Sequence, residues 1–268
     1  MKLLWCVLLI AFGLQEVSLT QSGNLPPYDF PDLPTDTVGA LPSNQRSERL
    51  LRVFREASHS TKLPIRFTEL PEVAINTSVL ETTDEEQIVA SRQDLNHEQE
   101  ENTLAHELFH IVLQGKGFAA TVQIPQGAPS LTIVLGFAIT SCVDDAVIDR
   151  KMSKLGFEPE VLNRDTAEGL RLSPPRFPAG AFSDPIFVDV NALLIVCYSF
   201  RKRYLGDDIE PTWQKVYPDV VARAHALASQ IGDVNCDVAQ SCLAKKKRIR
   251  DILGYPITFF NPLTNQFE

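Results

Sequence analysis

Positive charge is scarce in this chain: 25 Lys and Arg stand against 34 Asp and Glu, a net charge of −9 over 268 residues. That argues against a nucleic-acid partner, because neutralising phosphates takes clustered basic side chains. No internal repeat is visible, which argues against a repeat architecture. Long apolar runs are scarce too. The clearest is Leu3–Leu14, "LLWCVLLIAFGL", behind Lys2. It is shorter than the roughly 20 apolar residues a spanning helix needs. A positive start and an apolar stretch of this length read as a secretory signal peptide over residues 1–20, though no A-x-A cleavage pattern follows. No later segment reads as a membrane span. The expected location is secreted or extracytoplasmic.

Cysteine is sparse, with five in the chain, and Cys6 would leave with the signal peptide. Cys142, Cys197, Cys236 and Cys242 remain, an even number compatible with disulfides in an exported chain. Cys236 and Cys242, in "NCDVAQSC", are the best pair by proximity. Cys142 and Cys197 lie in apolar helical runs and read equally well as buried thiols or as a second bridge. Asn76-Thr77-Ser78 is a glycosylation sequon.

Five prolines between Gln21 and Ser43 mark residues 21–45 as a leader or linker. The domain is expected over 46–268. A helix is expected at Ser43–Ala57, across the start of the domain, and its first part, 46–117, would hold strands at Leu63–Leu70, Glu72–Leu80 and Glu86–Gln93 and a buried helix closed by Gly115 and Gly117. Its second part, 118–268, reads as mainly helical. An irregular or hairpin-like stretch covers Thr121–Gly136, and helices are expected at Phe137–Leu155, Val190–Leu205, Pro218–Ile231 and Cys236–Leu253. The order implies an α+β fold, with the buried helix at the junction.

That helix reads "TLAHELFHIVLQ" from Thr103. His106 and His110 lie four apart on one face, close enough to share a metal ion. Glu107 sits beside them. HExxH has this spacing because two neutral imidazoles hold Zn²⁺ while the glutamate takes a proton from the attacking water. The surrounding Leu104, Leu108, Ile111 and Val112 bury the helix, and buried polar groups need partners. A catalytic zinc wants a third protein ligand, and no histidine follows in "IVLQGKGF". The next helix reads "FAITSCVDDAVIDRKMSKLGF". Asp145 and Asp149 share a face with Ala138, Cys142 and Met152. Asp145 is the expected third ligand. Asp149, one turn on, is the expected acceptor for the N–H of a ligand imidazole. Asp144 is the rival ligand, on the face of Phe137, Ser141 and Ile148.

"HELFH" and "DDAVID" resemble the two motifs of the zincin metallopeptidases. The likeness covers residues 46–155 and is nearest the gluzincins, whose downstream helix gives a glutamate ligand and, four residues later, an aspartate. The resemblance implies a zincin-like fold, His106, His110 and Asp145 as zinc ligands, Glu107 as general base and Asp149 behind the ligands. This chain departs from the pattern in having Asp at the third ligand, one methylene shorter. The resemblance also implies that the strand before the site helix, Glu86–Gln93, offers a sheet edge to an extended peptide. Tyr198, Tyr204 and His225 are the candidates for stabilising an oxyanion. His97 and His225 read as surface residues, and "KKKRIR" at 245–250 as the solvated side of the last helix.

The expected function is a secreted zinc-dependent metallopeptidase acting on a peptide or protein substrate. The alternatives are an exported zinc-binding interaction module without turnover, a closed structural zinc, and a metal-dependent amidase.

Overall fold

The computed structural model describes residues 47–70, 78–119, 121–161, 177, 180–205 and 209–268. The expected signal peptide, the leader, the alternating stretch 73–77 and Asn76 of the sequon lie outside these residues.

Helix α1, Glu48–Ser60, opens on Ser47, whose side chain accepts from the Leu50 amide at 3.2 Å. Leu50, Val53 and Ala57 are its buried stripe. Three strands follow: β1 (Ile65–Leu70), β2 (Ser78–Thr82) and β3 (Gln87–Arg92). Their spatial order is β1-β3-β2, with β3 parallel to β1 and antiparallel to β2. β3 is therefore central, and all its residues but the last are buried. This corrects the expectation that β3 forms a sheet edge. A strand's local pattern reveals its burial, but its place in the sheet is set by the return path of the chain.

Helix α2, His97–Gly115, begins with a capping box between Asn96 and Gln99. Glu101 to Leu113 are buried without a break. A helix covered on every side packs between layers. α1 lies along it, and β2 and β3 meet it from the sheet. Gly115 permits the α1 contact: a Cβ there would stand 2.1 Å from the carbonyl oxygen of Ser60.

Helix α3 runs Ser130–Lys154, seven residues longer at its start than the sequence reading. Gly136, read as the end of an irregular stretch, lies within the helix. Any Cβ at 136 would come within 2.4 Å of Val122 Cγ1, so the glycine lets strand β4 (Val122–Gln123) sit directly on the helix. α3 is long and apolar enough to cross a membrane, but 78% of its apolar window is buried inside the fold, as in a core helix.

Helices α4 (Pro185–Leu205), α5 (Glu210–Val216), α6 (Pro218–Ile231) and α7 (Ala239–Leu253) follow. The 3-10 turn Ala181–Ser183 precedes α4, and strands β5 (Thr258–Asn261) and β6 (Gln266–Phe267) extend β4 into a second small sheet. α5 and this sheet were not anticipated. The architecture is α+β, as expected, with the helical layer dominant. Both disulfides form, Cys142–Cys197 between α3 and α4 and Cys236–Cys242 at the start of α7.

Candidate metal centre

α2 supplies His106, Glu107 and His110, while α3, packed across it, supplies Asp145. All four are buried. The two Nε2 atoms are 3.1 Å apart, and Asp145 Oδ1 lies 3.8 Å from that of His106 and 3.6 Å from that of His110. Donor atoms of the three residues fall within 4.8 Å of one another. A tetrahedral ion with ligand bonds of about 2.0–2.1 Å spaces neighbouring ligand atoms about 3.3–3.4 Å apart. The three donors therefore have a span that one metal ion can bridge, and the group could hold a metal ion.

The protonation states suit that role. Burial holds the His106 imidazole well below its ordinary value, helped by His110 and Arg201. Burial, Lys246 and Arg201 lower His110 to about 3. Both rings are neutral near pH 7, which leaves a lone pair on each for a cation.

Charge points the same way. Glu107, Asp144, Asp145 and Asp149 are buried around the site, and among the described residues the buried cations beside them are Arg201 and Lys246. Among the described residues these four acids outnumber the two cations, an arrangement that favours a bound cation, because unbalanced buried charge is costly. Burial raises the carboxyl of Asp144 against the pull of Lys246. Lys246 Nζ lies 2.7 Å from Asp144 Oδ2.

Asp144, the rival ligand, is thus engaged by Lys246, whose ammonium also donates to the carbonyl of Ala119. This corrects the reading of "KKKRIR" as a solvated face, since Lys246 is wholly buried. A signal was present: Ala239, Cys242, Leu243, Lys246, Ile249 and Leu253 recur at helical spacing and form the buried stripe of α7. Asp149 also differs from expectation. Its oxygens are taken by Arg201, Nε to Oδ2 at 2.6 Å and Nη2 to Oδ1 at 3.1 Å, and not by an imidazole among the described contacts. Arg201 also reaches Asp145 Oδ2, at 3.1 Å through Nη1. It was missed because "FRKRY" reads as a charged helix end, although Leu194, Cys197 and Tyr198 place it on a buried stripe.

Glu107 is fully enclosed, and its Oε1 accepts a 2.7 Å hydrogen bond from Ser78 Oγ on β2. The sequon hydroxyl is thus spent inside the fold. Of the oxyanion candidates, Tyr198 is buried and interacts electrostatically with Asp145 and Arg201. Burial, with Asp145 adding to it and Arg201 opposing, pushes its phenol up to about 12. His225 has a side chain 62% exposed and pairs with Glu210 at 2.9 Å. The side chain of Tyr204 lies outside the described residues. His97 is exposed at the start of α2, as expected.

No protein-family model, curated protein or solved structure matches the chain.

Proposed function

We propose that the chain is a zinc-dependent metallopeptidase of the zincin type, with His106, His110 and Asp145 as ligands and Glu107 as general base. The observation that carries the reading is the convergence of two neutral imidazoles and one carboxylate oxygen, buried, from two helices in contact. Among the described residues three donors converge, the number typical of a catalytic zinc, where a structural zinc takes four. When bound, zinc would supply Lewis acidity to a carbonyl and lower the pKa of water. Glu107 accepts the proton of the attacking water and returns it to the leaving amine. Ser78 holds the carboxylate in orientation through Oε1. Tyr198, buried and protonated near pH 7, is the candidate donor toward a developing oxyanion.

Among the described strands the sheet edge that carries Ser78 is β2, and not β3. An extended peptide lying along β2 would place its backbone near Glu107. Two disulfides among the described residues support an oxidising, extracytoplasmic setting.

The test is cleavage of an unbiased peptide library by wild type and Glu107→Gln. The variant keeps the shape of the side chain and removes the proton acceptor. Its hydrolysis should fall about 10²–10⁴-fold, the usual general-base contribution, while bound zinc persists. Equal cleavage by both forms would remove Glu107 from the role. Zinc binding by wild type without any cleavage would favour the interaction-module reading.

A further inference from the structure

We infer that Arg201 positions the metal ligand Asp145 by fixing which of its oxygens faces the histidines. The inference rests on the metal site proposed above. Arg201 lies on α4, 8% exposed, and its guanidinium touches two carboxylates of α3. Nε and Nη2 form a two-point contact with Asp149, at 2.6 and 3.1 Å. A planar guanidinium held at two points has no rotation left, so the direction of its remaining donor is set. That donor, Nη1, meets Asp145 Oδ2 at 3.1 Å. The other oxygen, Oδ1, is the one 3.6 and 3.8 Å from the imidazoles. The two oxygens of Asp145 are therefore divided, one to the cation site and one to Arg201.

Such a division has a chemical purpose. A carboxylate that is free to turn can present either oxygen, or both, to an ion. Tying Oδ2 to a fixed donor leaves a single-oxygen ligand. Asp149 then acts at one remove: it anchors the arginine rather than an imidazole.

The surrounding scaffold holds the pair in register. Cys142 lies three residues before Asp145, and Cys197 four residues before Arg201. Their disulfide bridges α3 and α4 about one turn from the ion pair. The helices that carry ligand and arginine are thus covalently joined beside the contact.

Metal-free wild type, Arg201→Met, Arg201→Lys and Asp149→Asn are titrated with Co²⁺ alone. Visible absorption reports coordination, and thermal unfolding of the same samples reports the fold. Wild type should bind one equivalent. Arg201→Met should bind about 10–100-fold more weakly, the usual size of an effect transmitted through a ligand's own partner. Its visible bands should also weaken, as Asp145 turns both oxygens to the ion and coordination rises. Asp149→Asn should change the spectrum in the same direction and by less. Arg201→Lys keeps the charge but cannot span both carboxylates, and should fall between wild type and Arg201→Met. Where Arg201→Met does not fold, Asp149→Asn decides. Wild-type affinity and spectrum in the folded variants would overturn the inference. So would weaker binding that merely tracks lost thermal stability with an unchanged spectrum, the mark of a purely structural arginine. Absence of cobalt binding by wild type is a separate result, which would remove the metal site itself and this inference with it.

Discussion

Ser78 Oγ donates to Glu107 Oε1 at 2.7 Å, joining strand β2 to helix α2 across 29 residues of sequence. Both side chains are wholly buried. The bond ties the sheet to the acid that the proposed chemistry requires.

Ser78→Ala removes the hydroxyl and leaves a buried carboxylate oxygen without that donor. Hydrogen bonds to charged groups contribute about 1.5–3 kcal/mol, so unfolding free energy in urea should fall by that amount. The proposed metal ligands are untouched, and zinc stoichiometry should stay unchanged. A loss within a few tenths of a kcal/mol would mean that the contact contributes nothing to stability.

Lys246 and Asp144 form a buried ion pair that ties α7 to α3. Lys246→Met strands the carboxylate and should cost about 3–5 kcal/mol in urea unfolding. Combining it with Asp144→Asn should recover most of the loss, because the double variant leaves no unpaired charge. Asp144→Asn alone should retain stoichiometric zinc. Loss of zinc in that variant would make Asp144, and not Asp145, the third ligand.

The histidines set a pH dependence in the metal-free protein. Burial holds His110 down at about 3 and His106 well below its ordinary value. In the unfolded chain both titrate near 6.5. Between those limits the unfolded state binds more protons, so stability rises with pH. The contribution is fully present above about pH 6.5 and is lost as pH falls toward the folded values. The slope is about 1.4 kcal/mol per pH unit for each histidine. The urea midpoint of metal-free protein should therefore drop between pH 6.5 and 5. A variant carrying His106→Gln and His110→Asn should show a flatter drop. An equal midpoint at both pH values in wild type would contradict the burial argument.

The parts of this molecule that local spacing encodes could be read in advance. His106 and His110 declare themselves because four residues is about one helical turn, and Asp145 because its i+4 neighbour is a second carboxylate. The Cys236–Cys242 bridge needs only six residues of chain. What stayed hidden depends on partners far away in sequence. Arg201 and Lys246 sit in basic runs that look solvated, and their acids lie 52–56 and 102 residues off. Gly136 broke the helix pattern because its reason, the approach of Val122, belongs to another element. The central position of β3 likewise follows from chain topology and not from its own residues.

The central claim is that His106, His110 and Asp145 hold one zinc ion. The most direct measurement is the metal content of the purified protein, wild type beside His110→Ala, after equilibration with limiting zinc and removal of loosely held ion. Wild type should carry one zinc per chain and His110→Ala none, with the variant still folded by circular dichroism. Zinc-free wild type, or full retention of zinc by His110→Ala, would contradict the account.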